Sequence, residues 1–266
     1  VIYGVVTGTS IGSLFLAGII PGILMGLALM VTNYRTAKKN GWLGSGQRPK
    51  LRSVGKATKN AFWALMSPVI ILGGIYGGIF TPTEAAAVSC VYTFVIGKFV
   101  YKELDMKKLM DCLKDTVLLA GATSFMIGLS SGFAFLLTMK QVPNTVAEAL
   151  LSVSDNKIVI LLIINVFVLI RGCFKGNISS CTILAPILLP VVVALGVDPI
   201  HFGIIMTMNL AIGFITPPYG ANLFIASAVG NTPMESIIKR VWPLILTITV
   251  VLILTTFIPG LSMLLV

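Results

Sequence analysis

Apolar residues run along this chain in long blocks, and the residues that interrupt them carry most of the information. Residues 10–34 predict a first helix that runs into a basic loop. Residues 60–80 predict a second, with Gly73, Gly74, Gly77 and Gly78 offering a small-residue face for close helix contact. Thr81-Pro82-Thr83-Glu84 has the form of a capping box with proline at the first helical position. A new helix therefore starts there and runs to about Val100, and Glu84 is read as a cap before it is read as an ion ligand. Residues 102–116 mix acids with lysines and predict an amphipathic surface segment; 117–139 predict another helix, and 140–156 a polar stretch. Residues 158–170 and 178–195 are two apolar arms around the tip from Arg171 to Asn177, and 241–266 predict a last helix.

Segment 202–230 departs from this pattern. It carries no charge, yet Gly213, Thr216, Pro217, Pro218 and Gly220 sit in its middle. A helix cannot pass through two consecutive prolines with its hydrogen bonds intact. In hydrocarbon the freed backbone groups find no water, so such a break is tolerated only where it is buried in protein or lines a cavity. Interrupted segments of this kind point to a transporter binding site. The arms around 171–177 are short for full spans of roughly 20 residues, which favours a re-entrant hairpin; two full spans with Arg171 snorkelling is the alternative.

Composition agrees with a membrane setting. Mean hydropathy is +1.00, and charged residues make up 11% of the chain, against about 25% in soluble domains. The net charge of +10 is unevenly spread: residues 35–59 hold eight of the nineteen Lys and Arg and no acid. That marks a cytoplasmic loop, in contact with anionic phospholipid, and not a nucleic-acid patch. Counting from it places 102–116 and Lys239-Arg240 inside and 140–156 outside. The fold class is an all-α, multi-pass integral membrane protein. Its expected divisions are 1–34, the tail of a first repeat; 35–59, the loop; and 60–266, a second repeat. The second repeat comprises helices over 60–139, a hairpin at 157–195, the broken helix at 202–230 and a terminal helix at 241–266. A shift of 222 residues aligns Gly8 with Gly230, Pro21 with Pro243, Ile23 with Ile245 and Leu24 with Leu246. The two aligned segments run in opposite directions across the membrane, as inverted repeats do. The chain begins with Val1 inside an apolar segment, and more sequence is expected upstream.

Two interruptions thus converge on the membrane interior. Each offers carbonyls at the end of one half-helix and N–H groups at the start of the next, which suit a cation and an anion respectively. A hard cation such as Na⁺ would take oxygen ligands: the carbonyls near Gly172, Gly176 and Gly213 and the hydroxyls of Ser179 and Thr216. The plainer alternative is that these glycines permit kinks and these hydroxyls cap half-helices. Arg171 and Lys175, beside a helix start at Asn177, would suit a carboxylate, or would only snorkel. Asn165, Asn209 and Asn222 are expected to make interhelical hydrogen bonds. Cys90, Cys112, Cys173 and Cys181 show no metal spacing and are expected to be buried thiols, and His201 has no evident partner. No hydrolase, metalloprotease or P-loop motif is present, so a non-enzymatic role driven by an ion gradient or by another subunit is expected.

Three stretches carry a family resemblance: VVTGTSIGSLFLAGIIPG at 5–22, GGIYGGIFTPTEAAAV at 73–88, and 185–229 with its ITPPYGANLF string. The chain resembles the large membrane subunit of tripartite ATP-independent periplasmic (TRAP) transporters. The resemblance implies an inverted-repeat elevator architecture of the ion-transporter superfamily in the bacterial cytoplasmic membrane. It implies sodium-driven import of an organic acid, such as sialic acid or a C4-dicarboxylate. Its partners would be a small Q-type membrane subunit and a periplasmic P-type binding protein. The resemblance implies a sodium site at the hairpin tip around Gly172 to Ser179, Gly176 included, and at Gly213 and Thr216; substrate contact is expected at Arg171, Lys175, Asn177, Pro217 and Tyr219. Family members often carry an acid at the position of Gly176 and an aliphatic residue at Arg171; the basic tip here favours a sugar acid. The rival readings are a single-component ion or anion channel, a stand-alone sodium/anion symporter, and a scaffold without transport.

Overall fold

The computed structural model describes residues 1–42, 51–154, 156–174 and 176–266, all of them in helices and connecting turns. In chain order the helices are α1 (Ile2–Thr7), α2 (Ile11–Ala17), α3 (Ile19–Lys39), α4 (Leu51–Tyr76), α5 (Pro82–Val95), α6 (Met106–Met139) and α7 (Val142–Val153). They continue with α8 (Lys157–Phe174), α9 (Asn177–Ala194), α10 (Pro199–Gly213), α11 (Ala221–Gly230), α12 (Met234–Phe257) and α13 (Gly260–Met263). A short π-helical stretch, Ile96–Val100, continues α5. Among the described residues, six helical stretches are long and apolar enough to cross a membrane: Ile11–Lys39, Pro82–Val100, α6, α8, α9 and α12.

The chain divides into two compact units, Val1–Asn40 with Thr123–Val266, and Gly41–Ala122. In the first unit α10 is the central element. It is apolar on every side and almost wholly buried, as a helix without a polar face must be. Phe202, Met206 and Leu210, spaced four apart, pack with Ile160, Ile164 and Val168 of α8 and Leu184, Leu188 and Val192 of α9. The opposite side, with Ile205, Met208 and Ile212, packs with Ile245, Ile248 and Leu252 of α12. Asp198 starts α10 by accepting hydrogen bonds from the N–H groups of Ile200 and His201, and Pro199 occupies the first turn. α3 lies along α12, where the hydroxyls of Thr32 and Thr247 meet at 2.8 Å.

In the second unit α5 opens with the capping box read from the sequence. Glu84 N–H donates to Thr81 Oγ1 at 3.3 Å, and Thr81 N–H donates to Glu84 Oε2 at 2.8 Å. Tyr92 and Tyr101 tie α5 and its π extension to α4 by donating to the carbonyls of Trp63 and Asn60.

Several local expectations are revised. The glycines at 73–78 do not form one helix-contact face: α4 ends at Tyr76, Gly78 turns the chain at φ +67°, and the Phe80 ring folds onto Gly74. From Met106 on, the amphipathic segment and the apolar 117–139 belong to one helix, because Asp105 caps its start (Lys108 N–H to Asp105 Oδ1, 2.7 Å) and lysine and leucine sustain it. The polar stretch 140–156 contains α7. Cys90 and Cys112 are exposed, whereas Cys173 and Cys181 are buried. His201 is buried and has partners at both ring nitrogens, Ser262 Oγ at 2.6 Å and the Thr256 carbonyl at 3.3 Å. Ser262 and Thr256 are remote in sequence, so no local pattern reveals them.

Candidate functional site

The site lies in the first unit, where α8 and α10 end. α8 stops at Phe174 and α9 starts at Asn177; α10 stops at Gly213 and α11 starts at Ala221. The interruption after α10 lies over the two prolines, whose peptide bond, Pro217-Pro218, is cis.

The ends of α8 and α10 cross glycine against glycine. A Cβ on Gly213 would lie 2.6 Å from Gly172 Cα and 2.8 Å from the Leu169 carbonyl oxygen. One on Gly172 would lie 3.2 Å from Gly213 Cα. No side chain fits between these backbones, so the two C-terminal ends, with their partial negative charge, are brought together. Beyond the crossing, the Phe174 and Tyr219 rings meet at 5.6 Å between centroids.

The chain after α10 folds back on itself. Thr216 N–H donates to the Gly213 carbonyl (3.0 Å), Gly220 N–H to the Thr216 carbonyl (3.1 Å) and Asn222 N–H to the Phe214 carbonyl (3.2 Å). Gly220 is required there, because a Cβ would lie 2.9 Å from backbone atoms of Ile215 and Thr216. Thr216 is buried, and its hydroxyl donates to the Ile212 carbonyl at 2.6 Å. Its oxygen keeps lone pairs free after donating, as does a carbonyl that accepts one bond.

At the tip, Gly176 is the N-cap of α9 and no side chain caps that helix; Gly220 begins α11 in the same way. Among the described residues the first N–H groups of α9 have no partner, whereas at α11 Asn222 N–H donates to the Phe214 carbonyl and Leu223 N–H to the Gly220 carbonyl. Ser179 Oγ donates back to the Gly176 carbonyl at 3.3 Å. Asn177 Oδ1 and Ser180 Oγ are buried without a partner among the described residues. Asn177 also borders a cavity of about 180 Å³ shared with Tyr3, Cys181, Thr207 and Leu210.

The structure thus joins Gly172 to Gly213 directly and holds Thr216 just beyond them. Gly176 is exposed, Ser179 and Pro217 are half-buried, and Tyr219 is exposed with its ring on Phe174. Arg171 is partly exposed near the end of α8, and among the described residues no carboxylate pairs with it. Lys175 lies outside the described residues. Asn165 and Asn209 do bond across helices, at 2.5 Å. Phe174 and Ser180 are site residues that sequence reasoning passed over, and Gly220, named in the break, was given no site role.

The donors at the crossing are neutral oxygens from carbonyls and a hydroxyl, a set suited to a hard cation. The N–H groups that open α9, unpartnered among the described residues, suit an anion.

Comparison with known proteins gives the family. The profile of the family "Tripartite ATP-independent periplasmic transporter, DctM component" matches residues 1–261. The chain is 48% identical over 263 residues to an isethionate TRAP transporter permease protein, DctMQ, of Oleidesulfovibrio alaskensis, covering 99% of this chain and 41% of that protein. It is 42% identical over 265 residues to the sialic acid TRAP transporter large permease protein SiaM of Vibrio cholerae, covering 100% and 62%. It is 41% identical over 263 residues to the C4-dicarboxylate TRAP transporter large permease protein DctM of Pseudomonas aeruginosa, covering 99% and 61%. The chain therefore spans between 41% and 62% of the length of these relatives. With residues 1–261 of its 266 matched by that profile, the chain belongs to the DctM component family of TRAP transporters.

Proposed function

We propose that this chain forms the sodium-binding and substrate-binding half of a TRAP large permease that imports an organic acid across the bacterial cytoplasmic membrane. The observation that carries this reading is the Gly172–Gly213 crossing, which sets two helix C-termini backbone against backbone, with no side chain between them and the Leu169 and Leu210 carbonyl oxygens at the contact. Sodium binds there, to carbonyls near Gly172, Gly176 and Gly213 and to the hydroxyls of Thr216 and Ser179. The substrate anion binds at the opposite polarity, against the N–H groups that open α9, with Asn177, Arg171, Lys175, Pro217 and Tyr219 around it. Sodium completes the crossing and so fixes the hairpin tip that receives the anion, which couples the two bindings.

The hairpin α8–α9 and the broken pair α10–α11 move together as the transporting body of an elevator. A small membrane subunit and a periplasmic binding protein complete the system; one relative's name, DctMQ, is that of a joined permease. The substrate class is that of the relatives' cargoes, namely isethionate, sialic acid and C4-dicarboxylates, each an organic anion.

The test is uptake by the full-length permease with its partner subunits in proteoliposomes, with isethionate, sialic acid and succinate as probes. The reading expects uptake of at least one probe that needs an inward sodium gradient and the binding protein. Uptake without either would make the protein a channel or a stand-alone carrier. Thr216→Ala and Arg171→Ala are expected to abolish uptake while leaving membrane insertion intact.

A further inference from the structure

Below the glycine crossing lies a buried row of polar side chains. Asn209 of α10, fully buried, donates through Nδ2 to Asn165 Oδ1 at 2.5 Å and to the Ile205 carbonyl at 2.9 Å. Asn165 of α8 donates through Nδ2 to Thr256 Oγ1 of α12 at 3.1 Å, and Thr256 donates to the Leu252 carbonyl at 2.8 Å. The row has one direction. Both partners of Asn209 Nδ2 are acceptors, so turning that amide over would set oxygen against oxygen. Its own Oδ1 is left buried without a partner among the described residues.

Two apolar side chains would fill the same space without stranding an acceptor, so this amide pair is a poor device for stability alone. A buried asparagine is a good device for register, which it fixes at a cost in stability. Register is what the crossing lacks. Gly172 and Gly213 allow close approach, but two glycine surfaces offer nothing directional and can slide along the helix axes. Asn209 sits one turn before Gly213, and Asn165 two turns before Gly172, each on the side of its helix that leads to the crossing.

We propose that Asn209 and Asn165 are positioning residues: their hydrogen bond sets the axial register of α8 against α10, and so the spacing of the oxygens at the crossing. The inference rests on the sodium reading above, and extends it to residues that touch no ion.

The test uses purified full-length permease with its partner subunits. Thermal stability is followed as sodium chloride replaces choline chloride at constant ionic strength. Asn209→Leu and Asn165→Leu should each raise half-saturating sodium by about tenfold or more, the usual scale for residues that orient ligands. The double variant should be no worse than either single, because one bond is lost in all three. Thr256→Val, which leaves the Asn–Asn bond in place, should stay within about twofold. Half-saturation within about twofold of the parent in both asparagine variants would overturn the proposal. Asn209→Ala decides by the same criterion if the leucine variant does not reach the membrane, and failure of all these variants to insert would assign the pair a folding role instead.

A second readout needs no sodium. Phe174→Cys with Tyr219→Cys should be joined by a short bifunctional thiol cross-linker, identified by mass spectrometry, with a yield that falls when Asn209→Leu is added; an unchanged yield contradicts the register role. Absence of sodium stabilisation in the parent together with an Asn209-dependent yield would reject the sodium reading and keep the register.

Discussion

The two interruptions in the first unit differ in kind. The one after α10 is closed: Gly213 and Gly220 are pressed against backbone, Thr216 is buried, and successive hydrogen bonds fold the chain from 213 to 222 back on itself. The one after α8 is open: Gly176 has free space where a Cβ would stand, Phe174 is exposed, and the helix that follows has no side-chain cap. A break that satisfies its own backbone is suited to hold an ion site in shape. A tip that leaves its N–H groups bare is suited to receive something. The pair reads as one fixed jaw and one receiving jaw, and substitutions should separate them.

The largest effect is expected at the fixed jaw. Gly213→Ala forces backbone against backbone at 2.6 Å, so it should destabilise by about 1–3 kcal/mol, as overpacking does, and abolish sodium-driven uptake. A thermal melt and an uptake assay check it; a normal melt would show the crossing to be looser than described. Thr216→Val removes the hydroxyl but keeps the shape. Loss of its hydrogen bond to Ile212 should cost about 0.5–1.5 kcal/mol, and the sodium requirement should rise well beyond what that cost explains. At the receiving jaw Asn177→Ala should leave the melt unchanged, since its Oδ1 has no described partner, while substrate half-saturation rises. Gly176→Ala should do least, within about 0.5 kcal/mol, because its φ of −57° suits any residue and no atom stands in the way. Equal effects at Gly176 and Gly213 would erase the distinction between the jaws.

Local chemistry is readable in this sequence, and long-range packing is not. Thr81 and Glu84 announce a helix start because a capping box closes within four residues. Pro217 and Pro218 announce an interruption because proline acts on its own turn. The Gly172–Gly213 crossing is different. Each glycine is visible alone, but their meeting depends on how α8 lies on α10, which the apolar side chains of both helices and the Asn209–Asn165 bond decide together. His201 shows the same limit: its partners stand on α13 and near the end of α12, some sixty residues on. The glycines at 73–78 mislead for the opposite reason, since a small-residue run serves a turn as well as a helix contact. Helix α7 is hidden because its polar flanks resemble a loop while its apolar side packs on α9.

The central claim is that the crossing of α8 and α10 binds sodium. It is tested most directly by melting the purified full-length permease in sodium chloride and in an equal concentration of potassium chloride. The account predicts a higher melting temperature in sodium, worth about 2.7 kcal/mol at a hundredfold excess over the dissociation constant, and no such difference in Gly213→Ala. Identical melting of the parent protein in the two salts would contradict it.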